Sequence, residues 1–339
     1  MESMVDFSEL YGGVYSQKKV LITGHNGFKG SWLAFWLNKM GAEVYGYALE
    51  PDAQPNHFEL TGLKINVLHA DIRDYKSLSS FLKEIRPDIV FHLAAQALVR
   101  ESYSNPSYTF EVNVMGVVNL LEIAGQIPEI KAVVNVTSDK CYLNKEWEWG
   151  YRENDPLGGY DPYSASKACS EIVNSAYRNS FFNPANYGTK HNLLLASARA
   201  GNVIGGGDWA ADRLIPDMAR AASAAKSVEI RNPYATRPWQ HVLEPLSGYL
   251  TLGMHLLNGD KMFASEWNFG PATDSNISVK EIAAAGAVHW NKIKVSYSQN
   301  KSDWHEAHLL MLDCSRAHKN MKWKPVWGID KTIKMTIDW

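Results

Sequence analysis

Cysteine is scarce in this chain: Cys141, Cys169 and Cys314 are the only 3 among 339 residues, far apart and never in C-x-x-C spacing. That argues against a disulfide framework and a cysteine zinc site, and it fits a reducing compartment. Long apolar runs are missing too. No stretch reaches the ~20 apolar residues that a membrane helix needs, and the opening MESMVDFSELYGG lacks the charged-then-apolar pattern of a secretion signal. The expected location is therefore the cytoplasm. Charge of one sign is not in excess: 34 Lys+Arg stand against 36 Asp+Glu, a net charge of −2, which gives no electrostatic case for nucleic acid or an anionic membrane as partner. Internal repeats and low-complexity linkers are also lacking. What is left is an ordinary globular composition, 45% hydrophobic and 21% charged, in a chain long enough for one large domain with a smaller lobe or two intimate domains. The 12 tryptophans are many, and most are expected in the core or in a pocket wall.

The first half alternates two patterns. Short runs rich in Val, Ile, Leu and Tyr, at Lys19–Thr23, Glu43–Ala48, Ile65–Ala70, Ile89–Ala94 and Ala132–Thr137, predict strands. Segments with helical spacing lie between them, at Ser31–Met40, Tyr75–Ile85 and Tyr108–Ile127, and a sixth strand, Leu193–Ala198, follows a helix that Tyr163 starts. This alternation predicts an α/β fold with a Rossmann-like, doubly wound parallel sheet. Beyond Gly201 the pattern loosens into helices over Ile215–Ala225, Glu244–Leu257 and Ser278–Trp290 and a strand over Val228–Arg231. We expect a dinucleotide-binding domain over 15–201, with 237–272 returning to it, and a smaller C-terminal substrate-binding lobe from 202–236 and 273–339. The chain stops at Trp339 inside an amphipathic stretch, which carries the expectation that the natural protein continues.

Gly24-His25-Asn26-Gly27-Phe28-Lys29-Gly30 follows the first strand and opens the first helix. Glycine lets the backbone come close to a pyrophosphate, and the helix N-terminus offers free N–H groups and a positive dipole end. Placement inside a ~30-residue strand-helix-strand unit distinguishes the motif from an ordinary glycine-rich turn. The second strand ends Ala48-Leu49, with Glu50 arriving late, so this site says little for NAD over NADP; Lys29 could meet an extra phosphate or be a solvated lysine. Asp71 and Ile72, after the third strand, suit an adenine amine and ring, and Leu93-Ala94-Ala95-Gln96, after the fourth, offers small side chains where the middle of a cofactor must pass.

Tyr163 and Lys167 stand one helical turn apart, on one face. A lysine ammonium beside a phenol lowers the phenol's pKa from about 10 towards working pH, and the pair can take a proton from a sugar hydroxyl. Thr137-Ser138-Asp139-Lys140 lies at the carboxyl end of the fifth strand, the edge where open parallel sheets bind ligands. There a hydroxyl, an acid and an amine join the Tyr/Lys pair, which suits removal of water from the same sugar.

These motifs resemble the extended short-chain dehydrogenase/reductase superfamily and, within it, the nucleotide-sugar 4,6-dehydratases. Most of those carry Asp-Glu where this chain has Asp139-Lys140. Together with 147–154 (WEWGYREN), 199–209 (RAGNVIGGGDW) and 237–242 (RPWQHV), that departure is similar to their CDP-linked branch. The resemblance implies NAD as cofactor, held with help from Tyr163 and Lys167, and CDP-glucose as substrate. It implies that Tyr163 takes the 4-hydroxyl proton, that Thr137 hydrogen-bonds the same oxygen, and that Lys167 supports the tyrosine and the cofactor ribose. Asp139, kept protonated, would donate to the departing 6-hydroxyl. Lys140 would remove the C5 proton, which requires a neutral amine with its pKa well below about 10.4. Asn202, Arg213, Leu214 and Arg237 would hold the diphosphate sugar, with Arg199 a further candidate, and His305 would close over it. The product, a 4-keto-6-deoxy sugar nucleotide, would feed deoxysugars of a bacterial surface polysaccharide. The superfamily also implies a homodimer or homotetramer built on the helices over Tyr108–Ile127 and Tyr163–Arg178.

Other readings stay open on the residues alone. A 4-epimerase or simple reductase would need only the Tyr/Lys pair, and a non-catalytic dinucleotide-binding scaffold would need neither. Nothing physical in the chain selects cytosine over thymine or guanine. The His305-Glu306-Ala307-His308 histidines are spaced i, i+3, not the i, i+4 of a zinc-protease helix, so no metal is expected. Asn113 is expected to position water or backbone near Lys167, and His92 to be a satisfied core histidine.

Overall fold

The computed structural model describes residues 6–51, 55–272, 275–298 and 309–339. In chain order its strands are β1 (Lys19–Thr23), β2 (Glu43–Ala48), β3 (Asn66–His69), β4 (Ile89–His92), β5 (Ala132–Val136), β6 (Leu194–Ala200), β7 (Val203–Ile204), β8 (Ser227–Ile230), β9 (Thr236–Pro238), β10 (Gln240–His241), β11 (Glu266–Phe269), β12 (Asn276–Ser278) and β13 (Lys294–Tyr297). Its α-helices are α1 (Phe28–Lys39), α2 (His57–Leu60), α3 (Tyr75–Ile85), α4 (Val99–Ser104), α5 (Pro106–Phe110), α6 (Gly116–Ala124), α7 (Pro162–Ser180), α8 (Leu214–Ser223), α9 (Leu243–Leu257), α10 (Val279–His289), α11 (Ser315–Asn320) and α12 (Ile329–Asp338).

Seven strands form one parallel sheet in the order β11-β6-β5-β4-β1-β2-β3. The order reverses between β1 and β4, so a crevice opens at the carboxyl ends there. The central strands are apolar at nearly every position because both faces are covered. Val20, Ile22, Ile89, Phe91 and Val134 enter a core with Leu33 and Leu37 of α1 and Leu246, Tyr249 and Leu250 of α9. Leu21, Val90, Val133 and Leu195 point to the opposite face, into a second core with Leu78 and Leu82 of α3 and Leu120 and Leu121 of α6. The two-residue period of the strands thus sorts one run of β-branched residues into two cores.

The chain after β6 builds a lobe over the carboxyl edge from short pairs, β7 with β10, β8 with β13 and β9 with β12. Its cores are small: Met218, Ala222, Val228, Ile230, Ala283 and Ile293 in one, and Ile204, Trp239, Ile282 and Ile333 in the other. None of the described helices is long and apolar enough to cross a membrane.

The doubly wound parallel sheet follows the sequence expectation, with element ends moved by a few residues. Two features differ. β11 escaped notice because it is four residues long and carries Glu266 and Asn268 among its apolar positions. The helix expected over Tyr108–Ile127 is divided: α5 passes through a π turn at Glu111–Met115 before α6 begins. Such turns insert an extra residue into the helical ladder and often mark functional positions.

Candidate active site

One cavity of ≈ 1530 Å³ runs along the carboxyl edge of the sheet and under the lobe. Its floor begins at the glycine turn. Gly24 has a φ of +74°, and a Cβ on Gly30 would stand 2.0 Å from the Gly24 carbonyl oxygen. Helix α1 can start this close only because that Cβ is absent, and its N-cap, Gly27, offers no side-chain acceptor to the first amides. Free N–H groups at a helix N-terminus facing a cavity form a cradle that fits a dinucleotide pyrophosphate. Asn26 ties the turn to the end of β2 by donating Nδ2 to the Leu49 carbonyl at 2.7 Å.

Gly24, Asn26, Gly27, Phe28, Lys29, Gly30, Asp71, Ile72, Leu93, Ala94, Ala95 and Gln96 all line this cavity. The Asp71 carboxylate is gripped by Arg73, from Nη2 at 2.8 Å and Nε at 3.1 Å, and the hydrogen bonds from Arg73 hold it below the ordinary carboxylate range. Ile72 is buried, its side chain packed where a Cβ on Gly116 would fall. Asn113, in the π turn, accepts from the Gln96 amide at 2.9 Å and donates to the Gln96 carbonyl at 3.0 Å and to Ser166 Oγ at 2.9 Å. It therefore joins the loop after β4 to helix α7 next to Lys167. His92 shares a hydrogen bond with Thr23 through Nδ1 at 2.7 Å, while its buried Nε2 has no partner among the described residues and burial pushes its pKa down to about 3.

Lys29 departs from the expectation of a solvated lysine. Its Nζ donates to the Tyr249 hydroxyl at 3.4 Å. Burial, the Arg213 cation and the Lys167 cation push its pKa down to about 8, with Asp139 acting the other way. The side chain thus turns toward the end of the cavity that holds Asp139 and Lys167.

That end is built by three local devices. Asp161 caps α7 by accepting from the Ser164 amide at 2.9 Å and the Ser164 hydroxyl at 2.6 Å, with Pro162 at the first helical position. This cap starts the helix that carries Tyr163 and Lys167. Second, the Thr137 amide extends the pairing of β5 with β6 by donating to the Ala198 carbonyl at 2.9 Å, which fixes Thr137 at the strand tip. Third, Ser138 caps a single 3₁₀ turn, Asp139–Cys141, accepting from the Lys140 amide at 3.2 Å and donating to Asp139 Oδ1 at 3.0 Å. Asp139 is 1% exposed, and its Oδ2 has no hydrogen-bond partner among the described residues. That oxygen sits over Gly201, where a Cβ would come within 2.8 Å. Lys140 is half-buried.

Thr137, Asp139, Lys140, Tyr163 and Lys167 all face the one cavity. The Tyr163 phenol, however, is pushed up to about 12, by burial first and then by Asp139; the Ser138 hydroxyl and the Arg213 cation act in the opposite direction. Lys167 is itself buried, and burial pushes it down to about 8. Behind the site Thr137 Oγ1 donates to the buried carboxylate of Glu171.

On the lobe side Asn202, Arg213, Leu214 and Arg237 line the cavity. Arg213 pairs with Asp208, its Nη1 at 3.0 Å from both carboxylate oxygens, and Arg237 donates to the Thr236 carbonyl at 2.8 Å. Arg199 is not a diphosphate arginine. It is 3% exposed, and its guanidinium points away from the cavity into Glu171 at 2.8 Å and the Tyr142 hydroxyl at 2.7 Å. His305 lies outside the described residues. The sequence reading missed a cluster that joins the two sides: Asp212 Oδ1 pairs with Arg100 of α4 at 3.1 Å and with Arg231 at 2.9 Å. No spacing rule links residues that far apart. Glu171 was within reach, since it stands one helical turn beyond Lys167.

Comparison with known proteins adds three findings. A family model described as GDP-mannose 4,6 dehydratase matches residues 21–336. A CDP-glucose 4,6-dehydratase from Salmonella typhimurium is 53% identical over 324 residues, covering 95% of this chain and 90% of its own. Solved structures share the fold. A UDP-glucose 4-epimerase from Thermotoga maritima, solved with UDP-glucose, has a TM-score of 0.80 at 18% identity, covering 94% of this chain and 97% of its own. A dTDP-glucose 4,6-dehydratase from Bacillus anthracis, solved with NAD, has a TM-score of 0.77 at 21% identity, covering 95% and 96%.

Proposed function

The chain belongs to the GDP-mannose 4,6 dehydratase family, and we propose that within it the protein is a CDP-glucose 4,6-dehydratase, an NAD-dependent hydro-lyase (EC 4.2.1.45). It converts CDP-glucose to CDP-4-dehydro-6-deoxyglucose and water by oxidation at C4, elimination across C5–C6 and return of hydride to C6. The observation that carries this reading is the meeting of an elimination set, Asp139 and Lys140, with the Tyr163/Lys167 pair in one cavity. The relative at 53% identity supplies the cytidine and the glucose.

The glycine turn and the small residues after β4 would hold NAD, which when bound accepts the hydride from C4 and gives it back to C6. Tyr163 takes the 4-hydroxyl proton, and Thr137 faces the same oxygen. Burial keeps the free phenol protonated, so its turn as a base depends on the cations around it, Lys167, Lys29 and Arg213. The resulting 4-ketone acidifies the C5 hydrogen, and Lys140, unpaired by any carboxylate among the described residues, takes that proton. Asp139 gives a proton from its otherwise unpartnered Oδ2 to the 6-hydroxyl, which leaves as water. Lys140 then returns its proton to C5. Electrons balance within the substrate, so no external oxidant is consumed; the proton gained by Tyr163 and the one lost by Asp139 cancel, and exchange with solvent resets both groups between turnovers. Asn202, Arg213, Leu214 and Arg237 meet the diphosphate sugar.

Several further assignments rest on this reading. The cofactor domain comprises 15–201 with 237–272, supported by the pairing of β11 with β6; 202–236 and 273–339 form the substrate lobe. The protein works in the cytoplasm as a homodimer or homotetramer, supported by the exposed apolar residues Met115 before α6, Ile172 of α7 and Phe181 just after it. Its product feeds deoxysugar synthesis for a bacterial surface polysaccharide.

The test is to incubate the protein with CDP-glucose, dTDP-glucose and GDP-mannose separately and to follow the alkali-induced absorbance of a 4-keto product. CDP-glucose should turn over best. Preference for another nucleotide would overturn the base assignment, and a new hexose without loss of water would make the enzyme an epimerase.

A further inference from the structure

We propose that Glu171 is a positioning residue for this reaction: its buried carboxylate holds the hydroxyl proton of Thr137 and keeps the charge on Lys167. The inference rests on the dehydratase reading and deepens it, since one anion behind the site orients two groups in front of it.

Glu171 stands one turn beyond Lys167 and two beyond Tyr163, on the same face of α7. It is 4% exposed, yet both of its oxygens are occupied. Oε1 accepts from Thr137 Oγ1, and Oε2 accepts from Ser197 Oγ at 2.7 Å and from Arg199 Nη2 at 2.8 Å. Arg199 is fixed in turn by donating to the Tyr142 hydroxyl at 2.7 Å and the Glu153 carbonyl at 2.9 Å. Burial pushes the Glu171 carboxyl up, but the Arg199 charge and the hydrogen bonds from Arg199, Thr137 and Ser197 more than offset it, so it lies below the ordinary glutamate range. An ionised carboxylate only accepts, and a threonine hydroxyl has one proton. That proton is committed to Glu171, so toward the cavity Thr137 presents lone pairs. It can accept from a sugar hydroxyl but gives no proton to the 4-oxygen, whose own proton is left to Tyr163.

The same carboxylate acts on Lys167. The ammonium lines the cavity and makes no ion pair within 4.0 Å among the described residues. Burial works against its charge and Glu171 works for it, while the Cys141 thiol of the 3₁₀ turn is kept protonated by burial and supplies no charge. The other ionisable groups near it give no support: Lys29 of α1 repels it, His92 at the end of β4 is kept neutral by burial, and Tyr163 is held protonated. Glu171 is the carboxylate that offsets the burial of Lys167.

The experiment is the pH dependence of kcat/KM for CDP-glucose in the parent, Glu171→Gln and Glu171→Asp. The parent should lose rate as pH rises through about 8, where Lys167 gives up its proton. Glu171→Gln should move that alkaline limb to lower pH by about one unit, as expected on losing an anion one helical turn away. Glu171→Asp keeps the charge but withdraws it from Thr137, so its limb should stay in place while kcat/KM falls about tenfold, the scale of one lost hydrogen bond. If Glu171→Gln is active with its limb at the parent position, Glu171 is only a counter-ion for Arg199 and the inference fails. Should Glu171→Gln not fold, Glu171→Asp decides: an unchanged kcat/KM overturns the proposal and a tenfold loss with the limb in place supports it. A parent that forms no 4-keto product overturns the functional reading and this inference with it. An active parent whose rate is indifferent to residue 171 overturns this inference alone.

Discussion

In the sheet-bearing half, Thr137, Asp139, Tyr163 and Lys167 are placed by backbone: a strand tip, a capped 3₁₀ turn and a capped helix. In the part built by the chain after β6, Arg213, Arg231 and Arg237 sit on or beside short elements, and their guanidinium groups are held by Asp208, Asp212 and the Thr236 carbonyl. The first arrangement keeps reacting groups still whether or not a ligand is present. The second gives each arginine a polar partner that, on the proposed reading, a diphosphate would replace. Chemistry needs placement to a fraction of an ångström, whereas capture of a charged, flexible substrate needs donors that can be exchanged.

Substitutions on the two sides should differ in size and kind. The largest effect is expected at Gly30. An added Cβ would meet the Gly24 carbonyl oxygen at 2.0 Å, a backbone contact that cannot swing aside. Gly30→Ala should abolish retained NAD, read as the absorbance of cofactor released on denaturation, and lower the Tm by several degrees. Full NAD content would show that the turn yields more than its geometry implies. Next comes Tyr163→Phe, where loss of the proton acceptor should cost about 10²–10⁴-fold in kcat with little change in KM. The double variant Asp139→Asn/Lys140→Met should still reduce cofactor on mixing with CDP-glucose yet release no 4-keto-6-deoxy product. Wild-type elimination by that variant would remove both residues from the mechanism.

Effects on the lobe side should be smaller and fall on binding. Arg213→Ala should raise KM about tenfold with kcat within about threefold, in line with one charge-assisted hydrogen bond of about 1.5–3 kcal/mol. A kcat loss as large as that of Tyr163→Phe would erase the distinction between the two regions. The last prediction concerns stability in acid rather than activity. Burial holds His25 and His241 near 4 and His92 near 3, against about 6.5 in the unfolded chain. The unfolded state therefore binds more protons as pH falls below 6.5, and stability present at neutral pH is lost on the way down to about 4, by about 1–2 kcal/mol per histidine at pH 5. Urea unfolding at pH 7 and pH 5 reads this, and equal midpoints would contradict it.

The same division decided what could be read beforehand. Parallel strands covered on both faces announce themselves as apolar runs, so β1 and β2 matched residue for residue, and the glycine turn, Tyr163 and Lys167 followed from their places in that pattern. Arg199 misled because an arginine at the end of a strand looks alike whether it faces the cavity or a buried glutamate; only the pairing with Glu171 tells them apart. Lys29 misled because the groups around it, Tyr249 and Arg213, are distant in the chain. The expected drop in the Tyr163 pKa assumed that charge would outweigh burial, and burial wins. The Arg100–Asp212–Arg231 cluster joins three separate elements and leaves no local trace.

The central claim, that oxidation, elimination and reduction share one cavity, is tested most directly with CDP-glucose carrying deuterium at C4. The account predicts a product lighter by one water, with the deuterium recovered at C6 and no net change in the bound cofactor. A product of unchanged mass, or a dehydrated product whose C6 carries no deuterium, would contradict it.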